Sequence, residues 1–258
     1  MSKTKVIFLH INKCGGSSLR HMLMSEYSWC EIAPVPVRPF TFTFPYPVIR
    51  GTTEIEYQEI LWPDDFRNYK LVMGHYDWRV TKKLPDWKIM TVLRDPVRQL
   101  LSHYYFIERA RDQYGDLWEE IGPMGFSGWV RSKHVMPFLN DQTRVLSGGW
   151  VYPVEDEQKR AMYGQEANYT RAISNLCNLR MTFGLLERLD ESVKLFNHAF
   201  GWQLPEPIHV NKAQVNTDDI DLDKSTIDYV KQLQHKDMRL YKAAQDTFNR
   251  QIQKFAND

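Results

Sequence analysis

Near its start the chain reads Val6-Ile-Phe-Leu-His-Ile11 and continues at once into Asn-Lys-Cys-Gly-Gly-Ser-Ser-Leu19. An apolar run this short cannot cross a membrane, and its continuous rather than alternating character suits a strand buried on both faces. The double glycine ends it. From Ser17 the pattern Ser-Ser-Leu-Arg-His-Met-Leu-Met suits a helix with a serine as its N-cap. Strand, glycine turn and helix in direct succession are the opening unit of an α/β fold, because a doubly buried strand needs helices on both faces of its sheet.

The rest of the chain repeats that alternation. Tyr69–Gly74, Lys88–Leu93 and Met181–Leu186 read as further strands. Asp95 followed by Pro96 is a strong helix start, with the helix expected to run to about Arg111. Further helices are expected over much of Glu155–Leu179 and over Asp190–Phe200. Apolar residues at Ile227, Val230, Leu233, Tyr241, Ala244, Phe248, Ile252 and Phe255 fall mostly three or four apart, the mark of a long amphipathic helix with a break near His235. The expected architecture is a central parallel sheet flanked by helices, one domain over residues 1–258. Two loop excursions are expected. Residues 30–63 are crowded with proline and aromatics, which excludes a helix interior or central strand. Residues 115–153 are rich in glycine and tryptophan. Both are expected to shape a substrate pocket.

Composition narrows the function classes. The 258 residues carry 33 Lys+Arg against 32 Asp+Glu, a formal net charge of +1. That balance argues against clamping nucleic acid or coating acidic membranes, both of which need a basic excess. The three cysteines, Cys14, Cys30 and Cys177, are too few for a disulfide framework and form no CxxC pair. No clustered ligand set of metal-binding spacing is visible, so no metal is expected. With no integral membrane segment and no leader-like run, a soluble cytoplasmic protein is expected.

Ligands of parallel α/β sheets bind outside the carboxyl ends of the strands, and three polar clusters lie at those ends: Lys13–Ser18, His75–Asp77 and Arg94–Ser102. In the first, Gly15 and Gly16 let successive backbone N–H groups turn inward, and the following helix adds its positive end. Lys13 supplies a full charge, and Ser17 and Ser18 supply hydroxyls. Together they can hold a phosphate or sulfate. The pattern is P-loop-like but not a Walker A loop, whose lysine follows the glycines. In the third cluster, an arginine at a strand end can grip a phosphate through two parallel hydrogen bonds. Ser102 lies about two helical turns further on and projects from a similar side; Arg98 can contribute as well.

His10-Ile-Asn-Lys-Cys-Gly-Gly-Ser-Ser-Leu19 resembles the 5′-phosphosulfate loop of sulfotransferases that use 3′-phosphoadenosine 5′-phosphosulfate (PAPS), in the carbohydrate branch that includes heparan sulfate 2-O-sulfotransferase. That loop typically reads His-Ile-Pro-Lys-Thr-Gly-Gly-Thr-Ser; Asn12, Cys14 and Ser17 are this chain's departures. Leu93-Arg-Asp-Pro-Val-Arg-Gln-Leu-Leu-Ser102 is similar to the family's 3′-phosphate motif. Asn140-Asp-Gln-Thr-Arg-Val-Leu-Ser-Gly148, Phe183–Val193 and His209-Val-Asn-Lys212 resemble later family segments in the same order. The resemblance implies the sulfotransferase fold and PAPS as donor. It also implies that Lys13, Cys14, Gly15, Gly16, Ser17 and Ser18 hold the phosphosulfate, and that Arg94 and Ser102 hold the 3′-phosphate.

Sulfuryl transfer to a hydroxyl also needs a base. His75 follows a strand, and an unperturbed imidazole titrates near neutral pH. By the resemblance it matches the second histidine of a His-Gly-His arrangement whose first member is Met73 here, so a role shared between two histidines is not expected. Asp77 ranks below it. His10 is expected in the core and His103 packed. Cys14, whose thiol pKa a phosphate-binding loop can lower, is expected simply to fill the threonine position. Trp62, Trp78, Trp118 and Trp129 lie in or near loops and can stack on a sugar, though aromatics are more often core. Arg131, Lys133 and His134 form a small basic cluster. The expected activity is PAPS-dependent transfer to a hydroxyl, with Lys13 and His75 catalytic. The acceptor is a glycan or small molecule, and the near-neutral charge disfavours a long sulfated polymer. The alternatives are a kinase-like phosphotransferase, which needs a Mg²⁺-holding carboxylate and a lysine after the glycines, and a nucleotide-binding protein without catalysis.

Overall fold

The computed structural model describes residues 3–33, 66–149, 167–207 and 220–257. Four strands, β1 (Val6–Leu9), β2 (Leu71–Gly74), β3 (Lys88–Leu93) and β4 (Met181–Leu185), form the sheet among these residues. All neighbours pair parallel, in the order β2-β1-β3-β4. Chain order therefore reverses between β1 and β3: from β1 the chain first moves outward to β2, then crosses back to β3. Such a switch point opens a crevice above the carboxyl ends of the two strands.

The helices are α1 (Gly16–Glu26), α2 (Val80–Lys83), α3 (Pro96–Arg109), α4 (Arg111–Ile121), α5 (Gly125–Trp129), α6 (Asp141–Ser147), α7 (Tyr169–Leu176), α8 (Leu189–Phe200), α9 (Lys224–Leu233) and α10 (His235–Asn257). Strand periodicity distributes the core. Val6, Phe8, Leu71, Met73, Met90 and Val92 face α1 and α8, meeting Leu19, Met22, Leu23, Val193 and Phe196. Ile7, Leu9, Val72, Ile89, Phe183 and Leu185 face the other way, onto Ala172 and Leu176 of α7 and Leu240, Ala244 and Phe248 of α10. Burial on both faces is why these strands are apolar throughout rather than alternating. A third cluster joins Leu100, Tyr104 and Ile107 of α3 to Ile121, Phe126, Trp129, Phe138 and Val230.

The α/β class and parallel sheet agree with the sequence reading, and β3 has the expected bounds. Two details differ. The N-cap of α1 is Gly15, in the left-handed conformation, rather than a serine. The described part of the 115–153 excursion is a chain of short helices whose aromatics build the third core cluster, so its tryptophans signal packing. The expected break near His235 is present: the C-terminal stretch is two helices meeting at Gln234, which is fully buried; its Oε1 accepts the Asn140 N–H, and that inward bond ends α9. Residues 34–63 of the expected 30–63 excursion, residues 155–166 of the stretch 155–179 expected to be mostly helical, and the His209–Lys212 segment lie outside the described residues. Among the described residues no helix is long and apolar enough to cross a membrane.

Candidate functional site

The β1–α1 turn is shaped by two residues at positive φ, Lys13 at 61° and Gly15 at 75°. For a lysine this conformation costs about 1 kcal/mol and persists only where neighbours enforce it. They do. The Arg94 guanidinium donates to the Lys13 carbonyl at 3.2 Å, and Gln99 Nε2 donates to the Asn12 carbonyl at 2.8 Å. A Cβ at Gly15 would come within 2.4 Å of Leu186 Cδ1, and one at Gly16 within 1.8 Å of His10 Nε2. The first glycine is thus fixed by backbone conformation and a leucine, the second by an imidazole. No side chain caps α1, so its first N–H groups, which lack intrahelical acceptors, face the turn. Ser17 is exposed and Ser18 partly so.

Arg94, only 8% exposed, follows β3 directly. Its N–H donates to Gln142 Oε1 at 3.1 Å, while Gln142 Nε2 donates to the Arg94 carbonyl at 2.8 Å and to Gln99 Oε1 at 2.9 Å. The chain Gln142–Gln99–Asn12 thereby ties the end of β3 to the β1 turn. Asp95 caps α3 as expected, its Oδ1 accepting from the Val97 and Arg98 N–H groups at 2.9 and 3.0 Å. Along α3, Arg98, Ser102, Phe106 and Arg109 follow at four-, four- and three-residue steps and share one face. Lys13 Nζ lies 4.3 Å from the centre of the Phe106 ring, which sets that face beside the turn. Burial, with the Arg109 and Arg94 charges, pushes the Lys13 ammonium down to a pKa of about 8.

His75 follows β2. Its Nδ1 lies 2.8 Å from the His10 carbonyl oxygen. A carbonyl only accepts, so Nδ1 carries the proton and Nε2 of the neutral ring carries the lone pair. Burial holds the His75 pKa below its ordinary value, so that neutral form prevails at pH 7. The His10 ring stacks on His75, with centroids 4.2 Å apart and planes at 27°. His10 is therefore not a core residue, as the sequence suggested, but half-buried between Gly16 and His75. Met73, by contrast, is core.

The structure thus joins Lys13, Arg94 and the start of α1, places Ser102 on the α3 face that Lys13 reaches, and adds His75 at the next strand. Asp77 is buried but committed to Arg79, whose Nε donates to its two carboxylate oxygens at 3.0 and 2.9 Å. Cys14 is buried, and burial pushes its thiol pKa up, opposite to the lowering a phosphate-binding loop can produce; it packs as a small residue. Trp78 and Trp129 are core, Trp118 packs on Tyr104, and Trp62 lies outside the described residues. His103 is buried against Phe138. Arg131 donates to Ser127, and His134 pairs with Glu120 at 3.0 Å, so that basic cluster is largely occupied. The sequence reading assigned no role to Gln99, Gln142, Phe106 or Arg109. Gln99, Phe106 and Gln142 lay in segments it singled out, but nothing local distinguishes a buried linking glutamine from a surface one.

The arrangement can hold a compact, multiply charged anion: a lysine and an arginine joined through the turn, at a helix start, over a switch point. No protein-family model matches the chain, and no curated protein matches it either.

Proposed function

We propose that this protein is a sulfotransferase that moves the sulfuryl group of PAPS to a hydroxyl acceptor, with a P-loop-like turn and the sulfotransferase fold. One observation carries the reading: Lys13 and Arg94 meet through the Lys13 carbonyl at the β1/β3 switch point, while His75, at the neighbouring β2, is neutral with its lone pair on Nε2. The donor, when bound, supplies a sulfur already activated by its 5′-phosphate leaving group. Lys13 and the amides of Gly16, Ser17 and Ser18 hold the phosphosulfate, and the Lys13 charge stabilises negative charge growing on the bridging oxygen. Arg94 and Ser102 hold the 3′-phosphate. His75 Nε2 takes the proton of the acceptor hydroxyl as it attacks in line. Gln99 and Gln142 keep the two anion-binding ends at a fixed separation. The acceptor is a sugar or other small hydroxyl compound.

Incubation with ³⁵S-labelled PAPS and a panel of sugars, sterols and phenols tests this reading, with label expected on a hydroxyl of at least one acceptor. No transfer, together with no binding of 3′,5′-ADP, overturns it. Nucleotide binding with no transfer to any acceptor would favour the non-catalytic alternative.

A further inference from the structure

His10 has no part in the mechanism above, yet its surroundings are built. Phe8 and His10 are two apart on β1 and so project from the same side. The parallel register pairs Phe8 with Met73 and Leu9 with Gly74; one step on, it sets His10 beside His75. The outcome is a file of three rings: Phe8 against His10 at 5.6 Å and 15°, His10 against His75 at 4.2 Å and 27°. Gly16 leaves the room that the His10 imidazole occupies, since a Cβ there would collide with its Nε2 at 1.8 Å. Phe8 is 1% exposed and anchored in the core, so the file is fixed at one end.

Two restraints are needed to fix an imidazole. The hydrogen bond from Nδ1 to the His10 carbonyl holds one atom and selects the tautomer, but leaves the ring free to turn about the N–H···O axis. A stacked partner removes that freedom by fixing the plane. We propose that His10 is a positioning residue for His75: its carbonyl selects the tautomer, its ring sets the plane, and Nε2 is held in one direction for the acceptor hydroxyl. The second imidazole that Met73 does not supply comes from β1 instead. The inference rests on the reading of His75 as the base. Burial, with the charges of Lys13 and Arg20, keeps His10 itself neutral, which suits a packing surface rather than a proton carrier. The groups whose charge reaches His75 are Lys13 of the turn, Arg20 of α1 and Asp141 of α6.

The test compares His10→Ala and His10→Phe. A misplaced base costs on the order of 100-fold, so His10→Ala is expected to lower kcat by about 10- to 100-fold, with the KM for PAPS and the affinity for 3′,5′-ADP kept. Removing the ring also hydrates His75, so the acidic limb of the kcat–pH profile moves up towards the ordinary imidazole value. His10→Phe restores the stack and is expected to recover kcat to within a few-fold with the limb back in place. An unchanged kcat and limb in His10→Ala overturns the proposal. So does a His10→Phe variant that binds 3′,5′-ADP normally yet is as slow as His10→Ala, because that assigns the nitrogens a chemical role. A second readout needs neither donor nor acceptor: ¹⁵N signals of His75 are expected to show Nδ1–H in the parent protein, and a higher pKa in His10→Ala. Identical titration in both overturns the positioning role. A parent protein that neither transfers nor binds nucleotide overturns the proposed function alone, and the ¹⁵N titration then decides the role of His10.

Discussion

At the scale of single residues, burial and two neighbouring arginines oppose the charge of Lys13. Its pKa of about 8 against an ordinary 10.5 means that holding the ammonium at neutral pH costs the folded protein about 3 kcal/mol. The unfolded chain binds the proton more tightly, so this penalty is full below pH 8 and fades as pH rises towards 10.5. A bound anion removes it. Lys13→Met is therefore expected to raise the melting temperature of the free protein by on the order of 5 °C at pH 7, while abolishing both 3′,5′-ADP binding and transfer. Calorimetry with and without nucleotide checks this; a variant less stable than the parent would show that no charge penalty exists. For the same reason nucleotide affinity is expected to fall above pH 8, by up to about tenfold per pH unit for one proton, and Lys13→Arg is expected to lose that fall. Arg94 and His75 separate differently. Arg94→Ala removes the tether to the Lys13 carbonyl and, on the proposed reading, a charged phosphate contact, so isothermal titration should show 3′,5′-ADP affinity down at least about tenfold. His75→Ala should lower kcat by about 10²–10⁴-fold with nucleotide affinity intact. An unchanged kcat would move the base elsewhere.

At the scale of elements, the short helix α6 is held by a carboxylate from α10. Asp237 Oδ1 accepts the Thr143 N–H at 2.7 Å and Oδ2 the Gln142 N–H at 3.1 Å, so α10 fixes α6, and α6 through Gln142 fixes the end of β3. Asp237 is fully buried, and burial raises its pKa to about 6. The sign follows from a raised carboxyl pKa. Between about 4 and 6 the folded state holds a proton the unfolded chain has released, so this residue's contribution falls as pH rises through that window and is level above it. Asp237→Asn is expected to flatten that part of the stability–pH curve, measured by urea unfolding. It also sets an amide NH₂ against one backbone N–H, at a cost of about 1–3 kcal/mol. A slope identical to the parent's between pH 4 and 6 would count against the assignment. The sequence showed the strands and the Asp95–Pro96 cap because apolar runs and capping chemistry are local signals. It did not show this clamp, since an aspartate among Lys236, Met238 and Arg239 looks like any solvated helix position.

At the scale of the molecule, the legible and illegible parts divide along the same line. That Lys13, His75 and Arg94 each end a strand could be read from the chain. That His10 meets His75, and Lys13 meets Arg94, depends on strand order, because only pairing of β1 with both β2 and β3 brings them side by side; His10 was misread as core for that reason. Strand order also governs how a ligand should act on the whole fold. A nucleotide spanning the start of α1 and the start of α3 links two strand–helix units that are otherwise joined at the site by the Arg94–Lys13 and Gln99–Asn12 bonds. At a concentration one hundred times its Kd it adds about 2.7 kcal/mol to global stability. Hydrogen exchange should therefore slow first in residues 12–19 and 94–102, and much less around Phe126, Trp129 and Phe138, the members of the third core cluster that lie outside α3. A rival location exists: the groove at the end of β4 lined by Glu187, Arg188, Tyr241 and Lys242. It presents two basic side chains, but Arg188 is already engaged by Glu191, and Glu187 adds a repelling charge. Protection by 3′,5′-ADP that centres on residues 185–188 and 241–249 and leaves 12–19 unchanged would move the anion site to that groove, and with it the basis for reading Lys13 and Arg94 as a pair.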